Sequence, residues 1–354
     1  MNVLFRAILA VVACSSGSVF SQNFPEKNLN YWQAFSGATI AAAAGAPLSY
    51  PSAAKRPVTE TFHGVTIVDD YRWMEDDAAA EVKAWVREQN ALTRKILDSV
   101  AQRTEIARRV GELLRAQTVS RYDFRYRGGV VFAMRYAPPK NQAALVVLPR
   151  TLDVSGERAV LDPTVLDPTG RTTIDFYTPS HDGKYVALSL STNGSEDGTA
   201  YVYEVATGKR LHEAVPRVMY PTAGGSIEWA PDSRGFYYTR YPNSGERPEA
   251  DRHFYQTVWF HALGTLPSAD RYVIGREFPR IAEIELHAGR DGRELLAQVR
   301  NGDGGEIAYY LRRGRGPWQK VAGFADGIKQ MEIGRDGHLY ARSVKDAPLG
   351  RIDN

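Results

Sequence analysis

The chain has 354 residues, 43% of them hydrophobic and 24% charged, with a mean hydropathy of −0.37. This composition excludes disordered, collagen-like and multi-span membrane proteins. A formal charge of only +3 gives no electrostatic argument for a nucleic-acid partner. The single cysteine, Cys14, excludes an intramolecular disulfide framework and a cysteine-ligated zinc site.

The N-terminus reads as an export signal. Arg6 precedes a short apolar run, residues 7–13 (AILAVVA), which falls short of the ~20 apolar residues that span a bilayer and fits a signal-peptide core. Two cleavage sites compete. Val11-Val12-Ala13-Cys14 is a loose lipobox that would make Cys14 the lipidated first residue, whereas Val19-Phe20-Ser21 offers an ordinary small-residue site. Residues 1–21 are therefore expected to be a signal peptide and 22–50 a linker. The protein is expected to be exported, either periplasmic or secreted, or else anchored to a membrane by a lipid on Cys14. A small-residue run at 37–46 (GATIAAAAGA) belongs to the linker, unless the start codon is mis-assigned and this run is the true signal. Neither run supplies an integral membrane span.

Residues 51–117 are expected to form a helical extension. Val82, Trp85, Val86, Leu92 and Ile96 share one helical face, after a start at Asp76-Asp77 that can cap the first turn. Ile106, Val110, Leu113 and Leu114 mark a second amphipathic helix. From residue 118 the helical period disappears. Sixteen of the 19 tyrosines lie beyond it, in short alternating runs broken by Gly, Asp and Pro, which is the pattern of half-buried antiparallel strands.

Those strands repeat. His181-Asp182-Gly183-Lys184-Tyr185, Pro231-Asp232-Ser233-Arg234-Gly235, Arg290-Asp291-Gly292-Arg293-Glu294 and Arg335-Asp336-Gly337-His338-Leu339 are each an Asp-led tight turn running into a β-rich segment. Their aspartates stand 50, 59 and 45 residues apart, and Gly128-Gly129 precedes the first by about one more period. A repeat of ~40–50 residues with several strands per unit predicts four-stranded β-propeller blades over residues 118–354.

Three segments resemble the prolyl oligopeptidase family of serine peptidases. Asp69-Asp70-Tyr71-Arg72-Trp73-Met74-Glu75-Asp76 is similar to the family's segment ahead of its first helix. Residues 229–242 (WAPDSRGFYYTRYP) are similar to a propeller strand-turn-strand, and residues 260–271 (FHALGTLPSADR) to the ending of the next blade. Asp70 and His181 stand where the family usually has proline. The resemblance implies a helical extension that packs on an α/β-hydrolase domain, and a propeller that caps the active site and admits only short proline-containing peptides. It also implies seven blades, whereas residues 118–354 hold about five at the observed spacing. The fold expected is mainly β: a partial propeller behind a short helical extension, truncated before its α/β-hydrolase catalytic domain.

No catalytic, cofactor or metal residue is expected in this chain. The family's nucleophile sits in a Gly-x-Ser-x-Gly elbow between strand and helix, and that motif is absent from the sequence. Gly194-Ser195 and Gly225-Ser226 come nearest, and both read as turns. His253 and His261 lack ligand spacing, so a structural role inside a blade is expected for His261. The acidic cluster Glu75, Asp76 and Asp77 belongs to a helix start, and Arg312-Arg313-Gly314-Arg315 to a solvated hairpin. No phosphate-cradling glycine loop occurs. Two functions are consistent with this: the gating propeller of a prolyl oligopeptidase, or a stand-alone propeller scaffold that binds without catalysis.

Overall fold

The computed structural model describes residues 48–115 and 118–354, so the expected signal peptide, Cys14 and most of the expected linker lie outside the described residues. Two compact units divide after Ile106. No helix among the described residues is long and apolar enough to cross a membrane.

The first unit carries an element that the helical expectation missed. Strands β1 (Val58–Phe62) and β2 (Val65–Asp69) pair antiparallel across His63-Gly64. Both turn residues have positive φ, 50° and 81°, which suits the right-handed twist of a two-residue hairpin. Asp69 then accepts hydrogen bonds from the Tyr71 backbone N–H at 2.8 Å and from Arg72 Nε at 3.1 Å. Arg72 also pairs with Glu60 on β1. Trp73 Nε1 donates to the Ala54 carbonyl at 2.8 Å, and the Arg56 guanidinium covers the Trp73 ring at 5.0 Å. The Asp-Asp-Tyr-Arg-Trp segment thus ties the hairpin to the preceding strap.

Helices α1 (Ala80–Asp98) and α2 (Arg103–Arg115) follow, matching the two amphipathic stretches, and α2 crosses the division between the units. The expected cap is corrected. The N-cap is Ala79, without a side-chain bond, because Asp76 Oδ1 accepts from the Ala78 N–H at 3.1 Å and closes a separate turn first. Val82 is buried, whereas Val86, Ile96, Val110 and Leu113 stay exposed.

The second unit is built of antiparallel meanders. Strands β3 (Ser120–Arg127), β4 (Val130–Tyr136), β5 (Ala144–Pro149) and β6 (Arg158–Leu161) make the first sheet. Strands β7 (Thr172–Pro179), β8 (Tyr185–Thr192), β9 (Thr199–Glu204) and β10 (Arg210–Pro216) make the second. The third holds β11 (Ile227–Trp229), β12 (Gly235–Arg240), β13 (Thr257–Ala262) and β14 (Arg271–Ile274). The fourth holds β15 (Ala282–Ala288), β16 (Glu294–Asn301), β17 (Ile307–Arg313) and β18 (Trp318–Ala322). The fifth is three-stranded: β19 (Ile328–Ile333), β20 (Leu339–Ser343) and β21 (Arg351–Asp353). Five blades among the described residues match the repeat arithmetic, and the Asp-led turns join the first two strands of the second to fifth blades. All these strands pair antiparallel, so the described residues contain no parallel α/β-hydrolase sheet.

The blades bury apolar residues against one another because side chains alternate faces along each strand. On β8, Val186, Leu188 and Leu190 join the first blade's Phe132, Leu145 and Val147. Ala187, from the opposite face of β8, joins Ile227, Trp229 and Phe236 of the third blade. Trp229 fastens this second seam. It is fully buried, donates from Nε1 to the Thr178 carbonyl on β7 at 2.8 Å, and stacks on Tyr185 with ring centroids 6.5 Å apart. Trp229→Ala is expected to cost about 3–5 kcal/mol, as large-to-small core substitutions do. Chemical denaturation read by fluorescence and circular dichroism checks it, and an unchanged midpoint would show that the seam does not hold the blades.

Candidate functional site

Strand β7 lies beside β11, and β11 beside β15, so the first strands of the second, third and fourth blades lie side by side. Their turns pack closely enough to require glycine. A Cβ on Gly128 would stand 2.2 Å from the Asp182 carbonyl oxygen, and one on Gly183 would stand 2.8 Å from the Gly128 Cα. A Cβ on Gly292 would come within 2.4 Å of His181 Nε2. The turns at Gly183 and Gly292 are therefore contacts between blades as well as hairpin reversals.

A cavity of about 380 Å³ opens among these strands, lined by Arg125 and Arg127 of β3, Thr178 and Pro179 of β7, His181, and Glu228 and Trp229 of β11. Ile227 and Trp229 are committed to the seam with the second blade, and period-two alternation leaves Glu228 on the opposite side. Glu228 is half-buried by its own surface but closely enclosed by the inner strands. Burial pushes its carboxyl up to about 7, against the backbone N–H of Ala288 and the charges of Arg125 and Arg127, which pull it down. Burial lowers His181, whose Nε2 lies 3.2 Å from the Trp229 carbonyl. The cavity therefore combines two arginines with a carboxyl whose hold on its proton is strengthened by burial.

The nearest sequence approaches to a nucleophile are placed elsewhere. Ser226 Oγ accepts from the Leu286 N–H at 3.0 Å and serves as a strut between β11 and β15. Ser195 sits exposed in the β8–β9 turn, with its Oγ accepting from the Asp197 N–H at 3.3 Å. His261 is fully buried in the third blade, and its Nδ1 meets Asp270 Oδ1 at 2.7 Å. Asp270 Oδ2 accepts from Tyr238 Oη at 2.7 Å, and the Phe236 ring lies 5.2 Å from the imidazole. This is half of a triad in form only, because no serine is among its partners. His253 is exposed at the rim, with its ring 6.4 Å from Tyr241. Glu75 of the acidic cluster pairs with Arg72 at 3.3 Å. Sequence reasoning passed over Glu228, although a carboxylate centred in Ile-Glu-Trp between two core residues was its signal.

Glu228 titrates at a higher pH folded than unfolded. The stability it confers by holding its proton is complete below the ordinary glutamate range and is lost as pH rises through about 7. Glu228→Gln keeps the neutral form at every pH. Thermal melts are expected to show this variant above wild type at about pH 8 and level with it at about pH 4. Equal melting temperatures at both would mean that Glu228 is solvated.

Comparison with known proteins follows the same outline. Residues 50–353 match the family model described as prolyl oligopeptidase, N-terminal beta-propeller domain. A prolyl endopeptidase of Elizabethkingia meningoseptica is 29% identical over 327 residues, covering 90% of this chain and 44% of that protein. Prolyl oligopeptidase A of Amanita bisporigera is 26% identical over 353 residues, covering 86% of this chain and 44% of its own length. A solved structure from a mechanistic analysis of two prolyl endopeptidases superposes with a TM-score of 0.74 at 29% identity, over 86% of this chain and 44% of that one. Prolyl oligopeptidase B of Galerina marginata, solved with a 35mer hydrolysis and macrocyclization substrate, shares the fold at 21% identity and a TM-score of 0.70. The chain thus spans less than half the length of the relatives it matches. With blades, turns and family model in agreement over residues 50–353, the chain belongs to the prolyl oligopeptidase N-terminal beta-propeller family.

Proposed function

We propose that this chain is the substrate-gating propeller part of a prolyl oligopeptidase, a serine-type endopeptidase that cleaves short peptides after proline. Bond cleavage falls to an α/β-hydrolase domain outside these 354 residues, through a Ser-His-Asp acyl-enzyme mechanism. One observation carries this reading: the propeller family model takes up residues 50–353, while the sequence has no Gly-x-Ser-x-Gly elbow. The gate works by size and charge. A narrow opening between inner strands passes an extended peptide and stops a folded protein, whose loss of structure would cost ~5–15 kcal/mol. The exposed Val86, Ile96, Val110 and Leu113 on α1 and α2 support a hydrolase partner over a self-sufficient scaffold, because an apolar helix face in water calls for a covering surface.

The chain alone is expected to take no label from a fluorophosphonate probe and to leave a chromogenic glycyl-prolyl substrate intact. Joined to the C-terminal half of the Elizabethkingia meningoseptica relative, it is expected to cleave that substrate and to spare folded proteins. Labelling of the isolated chain would reveal an unrecognised nucleophile, and an inert fusion that folds cooperatively would favour the scaffold.

Export belongs to the same proposal and rests on Arg6 and the apolar run at 7–13. Cell fractionation is expected to find processed protein outside the cytoplasm. With Cys14→Ser, loss of membrane association would identify the lipoprotein form and unchanged release the secreted one. Full-length protein confined to the cytosol would overturn export.

A further inference from the structure

A second concavity, about 840 Å³ in volume, lies between the third and fourth blades. Its rim is built from hairpin turns, at the opposite end of the sheets from the segments that link one blade to the next. Five arginines line it: Arg234 from the β11–β12 turn, Arg271 at the start of β14, Arg293 ahead of β16, Arg312 on β17, and Arg315 from the β17–β18 turn. Asp232 is the one carboxylate among the lining residues, and its Oδ1 already accepts from the Arg234 backbone N–H at 3.1 Å.

The guanidiniums are held largely without counter-charge. Arg312 donates to Tyr237 Oη at 3.0 Å and lies over that ring. Arg271 lies over Phe260, 5.4 Å from the ring centre. Arg293 is 3.4 Å from Asp291, with both side chains more than half exposed, a pairing that contributes little. Among the described residues, Arg234 and Arg315 have no carboxylate within ion-pair distance. Gathering like charges in one groove is unfavourable unless a ligand neutralises them. In a chain with 44 basic and 41 acidic residues the concentration is local, and the groove shares no lining residue with the cavity around Glu228.

We infer that this groove binds an acidic segment of a separate polypeptide, with several Asp or Glu carboxylates presented along an extended backbone. Guanidinium forks match carboxylates two bonds at a time. The Tyr237 and Phe260 rings give apolar stems a surface between the charges. The cations come from two blades and several turns, so they suit anions spaced along a chain better than a single phosphate. A formal charge of only +3 gives nucleic acid no wider electrostatic attraction to the chain.

The test is fluorescence anisotropy on the full chain with fluorescein-labelled octaglutamate. Saturable one-to-one binding is expected, weakening as salt is raised and falling at least about tenfold in the Arg234→Ala/Arg293→Ala/Arg315→Ala variant. These side chains are exposed, so unchanged circular dichroism and melting are expected for the variant. Asp232→Asn supplies a gain of function that misfolding cannot mimic: it keeps the turn's acceptor, removes the groove's carboxylate and is expected to tighten binding about two- to fivefold. Absent binding, equal affinity of the triple variant, or weaker binding by Asp232→Asn would overturn the proposal. Tighter binding of an oligothymidylate of equal charge would do the same in favour of nucleic acid.

Discussion

The second unit depends on one constraint: a blade with two apolar faces must be covered on both. Strand β8 shows how this is met, with Val186, Leu188 and Leu190 in the core shared with the first blade and Ala187 in the core shared with the third. The third and fourth blades repeat the arrangement through Val258, Ile284 and Val299, and the fourth and fifth through Leu296, Tyr309 and Met331. Each blade is thus part of its neighbours' interior. Trp229 adds direction to this burial, since its indole N–H must find the Thr178 carbonyl to avoid an unpaired donor in the core.

Packing the sheets this way lays the first strands of the second, third and fourth blades side by side. The close passage of Gly128 against Asp182, and of Gly292 against His181, follows from that crowding. Where the inner strands diverge, charged side chains that no apolar seam can take are left facing a cavity, and Glu228 is among them. Its raised affinity for a proton comes from the same enclosure that makes the cavity narrow. The α/β-hydrolase nucleophile sits at a strand-to-helix elbow, and the sequence carries no Gly-x-Ser-x-Gly for one. What the inner strands enclose is a cavity lined by Arg125, Arg127 and Glu228. The buried His261–Asp270–Tyr238 chain illustrates the distinction: the residue types of catalysis are present, but they are committed to bracing the third blade.

Blade number, the first-hairpin turns and the family were legible from the spacing of Asp182, Asp232, Asp291 and Asp336 together with three short segments, because those features are local and repeat. The β1–β2 hairpin was overlooked beside a strong helical pattern, although His63-Gly64 between Val- and Thr-rich runs announces a tight turn. The helix cap moved two to three residues, from Asp76-Asp77 to Ala79, because Asp76 closes its own turn, and side-chain competition of this kind does not appear in residue type alone. Glu228 and the arginine groove were harder for a different reason. Arg312 reads as a solvated hairpin until Tyr237, 75 positions earlier, is placed beneath it. Arg234, Arg293 and Arg315 meet only because two blades present their turns at the same end. Non-local convergence is set by the packing of whole sheets, and no window of sequence contains it.

The central claim is that this propeller serves a hydrolase domain. Reading the nucleotide sequence downstream of the Asn354 codon tests it most directly. The account predicts an in-frame region encoding a Gly-x-Ser-x-Gly elbow between a strand and a helix, followed later by the Asp and then the His of the triad. Downstream sequence with no such elbow in any frame would contradict it and leave a propeller that binds without cutting.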